Sequence, residues 1–122
     1  MDSIYESIYG DVYYIKDKNI VFVKWKSYCE LDQYRQILNS ALDIIKKNKC
    51  NYCADTRSGF VDNPLDTIWV KDYFMVKAKE YGCNIIYFII DRNNSLKEEL
   101  DGQENNSKDI IQFKYIYDIK EI

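Results

Sequence analysis

The sequence predicts an α/β fold: one mixed, mostly parallel five-stranded sheet with an N-terminal β-hairpin and two main helices on one face. Three observations carry that reading. Two β-branched and aromatic runs near the N-terminus, residues 12–15 and 20–25, are separated by only four polar residues, as in a hairpin. Two long segments, residues 31–48 and 63–81, then show apolar residues at helical spacing. Short apolar runs follow each of them, which is the alternation that builds parallel βαβ units. The predicted order is β-β-α-β-α-β-(α)-β, in one domain spanning residues 1–122.

In the hairpin, Val21, Val23 and Trp25 share one face of the second strand, while Ile20, Phe22, Lys24 and Lys26 share the other. The first set is the core candidate, with Trp25 as an anchor. Ser27-Tyr28-Cys29-Glu30 has the Ser-x-x-Glu spacing of a capping box ahead of a helix that starts near Leu31. Tyr34, Ile37, Leu38, Ala41 and Ile45 form the apolar stripe of that helix. Lys46, Lys47 and Lys49 crowd its C-terminal turn, where cations suit the helix dipole.

A short strand is expected at residues 52–56. A polar turn follows, and Asn63-Pro64-Leu65-Asp66 opens the second helix: Asn63 as cap, Pro64 at the first helical position, Asp66 facing the positive end. Gly82 is the expected stop. This helix is apolar over a wide arc. Leu65, Ile68, Trp69, Tyr73 and Val76 make one stripe, and Val70, Phe74 and Ala78 a second. One sheet face buries only one stripe, so the other is expected against a neighbouring helix or a partner subunit. Trp69 is read as a core anchor. Residues 85–90 are apolar on both faces, as in a central parallel strand. Residues 91–108 are polar and Asn-rich, with one short helical piece expected near Ser95. Residues 110–116 read as the last strand, before a terminal helical turn at 118–122.

Right-handed crossovers between successive neighbouring strands put both long helices on one face. The opposite face must then be exposed to water, covered by a terminal segment, or buried in an oligomer.

Composition excludes several function classes. Net charge is −3, with 17 Lys and Arg against 20 Asp and Glu, and no segment carries a basic stripe. Phosphate neutralisation needs such a stripe, so no nucleic-acid partner is expected. The longest apolar run is far short of the roughly 20 residues that span a bilayer. No membrane span is expected, and the acidic N-terminal residues give no signal-like apolar region, which points to a cytoplasmic protein. Four cysteines stand at 29, 50, 53 and 83, with no histidine. Cys50 and Cys53 form a C-x-x-C, but no second ligand pair at matching spacing completes a metal site. The thiols are read as small buried residues, and no cofactor is expected.

The candidate site lies at the carboxyl ends of parallel strands, where open α/β sheets place ligands. Asp55, Thr56, Arg57 and Ser58 stand at one such end, and Asp91 and Arg92 at the next. The N-terminus at Asn63 to Leu65 would add anion-suited N–H groups. The same residues also suit a turn scaffold, with Asp55 and Arg57 as a local ion pair and Thr56 bonding backbone. An enzyme needs a poised base, nucleophile or metal, and the sequence offers none beyond isolated carboxylates. Catalysis is not expected.

Three segments resemble the STAS-like bacterial domains, related to the sporulation anti-sigma-factor antagonist and to CRAL-TRIO domains. Ile20-Val21-Phe22-Val23-Lys24-Trp25-Lys26 looks like that family's strand ending in Trp. Asp55-Thr56-Arg57 looks like its Asp-Thr-Arg strand end. Asn63-Pro64-Leu65-Asp66-Thr67-Ile68-Trp69, closed by Gly82, looks like its Ser-Pro-Glu-Asp-x-x-Trp helix. Order and spacing agree from about residue 12 to 119. The resemblance implies a non-catalytic regulatory domain that contacts a protein partner or itself, as a homodimer, or that senses a ligand. The alternative is a small-molecule binder for a lipid or nucleotide, with an apolar pocket between helices and sheet. In the antagonists a Ser at the start of the corresponding helix is phosphorylated. That makes Ser58 the phosphorylation candidate, although four more residues precede the helix here.

Overall fold

A computed structural model describes residues 3–57, 63–91 and 110–122. Its sheet has six strands rather than the five expected from sequence, in the spatial order β1-β2-β3-β4-β5-β6. They are β1 (Ser3–Glu6), β2 (Gly10–Ile15), β3 (Ile20–Trp25), β4 (Asn51–Asp55), β5 (Ile85–Ile89) and β6 (Gln112–Ile116). The first three form an antiparallel meander, and β3 to β6 are parallel. The additional strand is β1, on the edge. A serine turn makes it: Ser7 Oγ accepts from the N–H groups of Tyr9 and Gly10, each at 3.1 Å, and reverses the chain into β2.

The β2–β3 hairpin pairs Ile15 with Ile20 across a single 3₁₀ turn, Lys16–Lys18. Asn19 closes that turn at φ 49°, a left-handed conformation in which Asn is among the better-tolerated side chains. Helix α1 (Asp32–Asn48) crosses from β3 to β4. The expected Ser27–Glu30 box does not form, because Ser27 Oγ donates to the Ile8 carbonyl at 3.1 Å instead. Leu31 precedes the helix at φ 54°, and its N–H donates to Asp66 Oδ2 at 2.8 Å. The start of α1 is therefore capped by a carboxylate from the next helix.

That second helical stretch is α2 (Pro64–Trp69), a π turn (Val70–Phe74) and α3 (Met75–Glu80) run end to end. Asn63 caps it as expected, Oδ1 accepting from Leu65 N–H at 2.9 Å. Gly82 ends it at φ 109°. The π turn has a packing consequence. At about 100° per residue, Met75 would be rotated roughly 140° from Val70 around an unbroken α-helix. Wider winding brings Val70, Phe74, Met75 and Ala78 onto one buried face.

Both helical stretches lie on the same sheet face, and the main core forms there. Val21, Val23 and Trp25 of β3 meet Ile37, Leu38 and Ile45 of α1 and Phe74 and Met75 of the second stretch. Trp25 stacks on Tyr34 at 5.1 Å. On the other face a smaller cluster buries Ile20, Phe22, Cys53, Ile89 and Ile116. The C-terminal segment packs on it through Ile119 and Ile122, and Lys18 Nζ donates to the Ile122 carbonyl at 2.9 Å. Among the three fates left open by sequence for this face, partial cover by a terminal segment is the one found.

Candidate functional site

The strand-end residues come together on the face away from the helices. Alternation along β4 sends Tyr52 and Ala54 into the main core and Cys53 and Asp55 to the opposite side. Asp55 is buried and held bidentately by Arg57, Nε to Oδ1 at 3.0 Å and Nη2 to Oδ2 at 2.8 Å. The Arg57 backbone N–H also donates to Asp55 Oδ1, at 3.1 Å. Thr56 is fully buried, and both its N–H and its hydroxyl donate to the Ile89 carbonyl, at 3.2 and 2.9 Å. The guanidinium is held above its ordinary pKa, first by the hydrogen bond to Asp55, then by the negative field of Asp55, Asp91 and Asp118.

Asp55, Arg57 and Asp91 are thus brought together, while Ser58 and Arg92 lie outside the described residues. Asp118 joins them. Sequence reasoning placed it only in a terminal turn, because nothing local links residue 118 to residue 57. Lys24, paired in register with Asp55 on β3, adds a further cation on the same side. Carboxylate and guanidinium satisfy each other within the end of β4, and the Thr56 bonds to the Ile89 carbonyl tie that end to β5. The Asn63 helix start is not part of it. That helix packs on the opposite face, its Leu65 N–H is occupied by the cap, and Asn63 Nδ2 donates to Glu30 Oε2 at 2.6 Å.

The four thiols are buried and free. Burial pushes Cys29 and Cys50 up to about 11 and Cys83 up to about 12, and raises Cys53 further. A thiol attacks as its thiolate, so none is poised as a nucleophile near neutral pH. No cluster of three metal-ligating side chains occurs among the described residues. None of the described helices is long and apolar enough to cross a membrane.

One cavity between helices and sheet, lined by Trp25, Tyr34, Tyr52, Phe74 and Phe88 among others, has a volume of about 10 Å³. That admits about one water, not a lipid or nucleotide. A larger, open groove of about 370 Å³ lies between α1 and the outer strands, with Tyr5, Tyr14 and Ile44 as its apolar walls and Asp43 and Lys47 at its rim.

The most conspicuous surface is on the second helical stretch. Leu65 is 59% exposed, Ile68 57%, Tyr73 42% and Val76 44%. Of the two stripes read from sequence, the narrower one, Val70, Phe74 and Ala78, is the buried one. The wide stripe faces outward, apart from Trp69. Trp69 is half-buried, stacked on Tyr73 at 5.3 Å and under the Arg35 guanidinium at 5.5 Å. Tyr28 and Leu31, ahead of α1, are exposed as well. The breadth of the apolar arc was the sequence signal for this surface; which half would be covered was not in it.

No family model, curated protein or solved structure matches the chain.

Proposed function

We propose that this is a non-catalytic, STAS-like regulatory domain that acts by protein contact, and that the outward face of α2 and α3 is its docking surface. One observation carries the reading: four large apolar side chains in a row on one helix, each about half exposed. Such a contiguous apolar patch on a folded domain marks an interaction site more often than a scattered exposed residue does. The local chemistry supports it from the other side. Asp55 and Arg57 neutralise each other, and the buried thiols are protonated.

The test replaces Ile68 by Lys, a change made on the surface and therefore compatible with folding. Binding to protein partners in the native host should fall sharply for Ile68→Lys and remain for Asp17→Lys on the far hairpin. An unchanged set of partners and affinities for Ile68→Lys would sink the reading. The phosphorylation that the resemblance implies is separable: Ser58→Asp should alter partner affinity, and unchanged binding removes it.

The groove beside α1 favours a second reading, a small-molecule binder, because its volume falls in the range of ligand pockets. Native mass spectrometry of freshly purified protein should then reveal a bound mass that Tyr14→Ala abolishes. Bare protein would count against it.

A further inference from the structure

We infer that the groove beside α1 takes a small zwitterion with a planar apolar tail, the class of the aromatic α-amino acids. The inference rests on the small-molecule reading above and names its ligand class. Its basis is the different chemistry of the groove's walls and rim. Tyr5 of β1 and Tyr14 of β2 both line it, and both pack against the main core on the helix side of the sheet. Tyr5 pairs in register with Val12, so Tyr14 is its diagonal neighbour across the two strands, at a spacing of about 7–8 Å. Among the described residues neither ring stacks on another aromatic ring. The spacing is twice the contact distance of carbon atoms, about 3.5–4.0 Å, so one planar group can touch both rings. Ile44 of α1, itself buried, completes the apolar lining on the helix side.

The rim supplies the charges. Asp43 and Lys47 are exposed on α1, one turn apart, and both line the groove. An acid four residues ahead of a base is the order that favours an ion pair along a helix. Neither belongs to an ion pair among the described residues. One anion and one cation, side by side and unpaired, complement a ligand that carries an ammonium and a carboxylate on one carbon. Other ligands fit this rim less well. A nucleotide sets its phosphates beside Asp43 with only Lys47 to meet them. A fatty acid offers Asp43 no cation. An internal residue of a peptide carries neither charge.

The experiment is a nuclear magnetic resonance titration of the full chain with L-phenylalanine and L-tryptophan. Saturable amide shifts should appear on β1, β2 and the second half of α1. N-acetyl-L-phenylalanine lacks the ammonium and L-phenylalaninamide the carboxylate, and each should bind about tenfold more weakly than L-phenylalanine. Asp43→Asn should weaken L-phenylalanine by about tenfold and erase the loss caused by N-acetylation. Lys47→Met should do the same for the amide. Both changes are on the surface, and the circular dichroism spectrum should not move. No localised shift with either amino acid overturns the inference, as does L-alanine binding as tightly as L-phenylalanine. N-acetyl-L-phenylalaninamide binding as tightly as L-phenylalanine marks a peptide groove and overturns it too. So do analogue losses that persist in Asp43→Asn and Lys47→Met. A bound mass abolished by Tyr14→Ala, with no response to either amino acid, overturns the amino-acid assignment alone and leaves the small-molecule reading standing. With neither bound mass nor response, both fall.

Discussion

Asp66 is the residue whose role depends most on the fold. It is 2% exposed, and it receives the Leu31 N–H at 2.8 Å and Arg35 Nε at 3.2 Å. Local sequence explains only its place in the first turn of α2, where a carboxylate complements the helix dipole. Its second task, capping the start of α1, comes from a residue 35 positions away. Asp66→Ala leaves a helix-terminal N–H and part of a guanidinium without their acceptor, and should cost about 2–3 kcal/mol by chemical denaturation. Asn63 serves two partners in the same region: its Oδ1 accepts from Leu65 N–H and its Nδ2 donates to Glu30 Oε2. Asn63→Ala should cost about 1 kcal/mol from the cap. Asn63→Asp keeps the cap but faces the Glu30 carboxylate, so it should recover less than the full loss. A full recovery in thermal melts would show that the Glu30 contact contributes nothing.

At the scale of elements, the ends of the two helical stretches meet. Gly82 adopts φ 109°, and a Cβ there would lie 3.1 Å from Cβ of Lys49, the left-handed residue closing α1. Gly82→Ala therefore meets both backbone strain and a close neighbour, and should cost roughly 1–3 kcal/mol. A melting temperature equal to wild type would contradict that geometry. The elements also show where sequence patterns were readable. Hairpin, cap, helix stop and terminal turn follow from local rules: polar loop length, Asn-Pro, Gly, and Asp118 bonding Lys120 N–H. Strand β1 did not. It is four residues long, and its pairing with β2 rather than any run of apolar residues makes it a strand. The π turn was equally hidden, since its winding follows from how Val70, Phe74 and Met75 must reach one core.

At the scale of the molecule, the buried acids of high pKa set a stability limit on the alkaline side. Cys29, Cys50 and Cys83 titrate at about 11, 11 and 12 when folded, against an ordinary 9.0, because burial disfavours the thiolate. Burial raises Tyr52 as well. Between the unfolded and folded values the native state binds more protons than the unfolded chain. The sign of the linkage then makes stability fall as pH rises. The domain should hold its neutral-pH stability up to about 9 and lose it progressively toward 11 and above. Denaturant midpoints measured from pH 7 to 11 check this, and a flat profile would contradict the burial of the thiols.

By itself the sequence determined the α/β class, the hairpin, both helical stretches, the Asn63 cap and Gly82 stop of the second, and the neighbouring strand ends that hold Asp55 and Asp91. Those features depend on residue type and spacing within one segment or between consecutive ones. Tertiary structure decided the sixth strand, the Asp66 cap on α1, the reach of the Asp118 charge to Arg57, and above all which stripe of the second helix was covered. A helix apolar over a wide arc has two faces of comparable hydrophobicity, and burial energy scales with area without naming a face. The choice was made by packing. Only Val70, Phe74, Met75 and Ala78 fit together against α1 and the sheet, which left Leu65, Ile68, Tyr73 and Val76 turned to the outside.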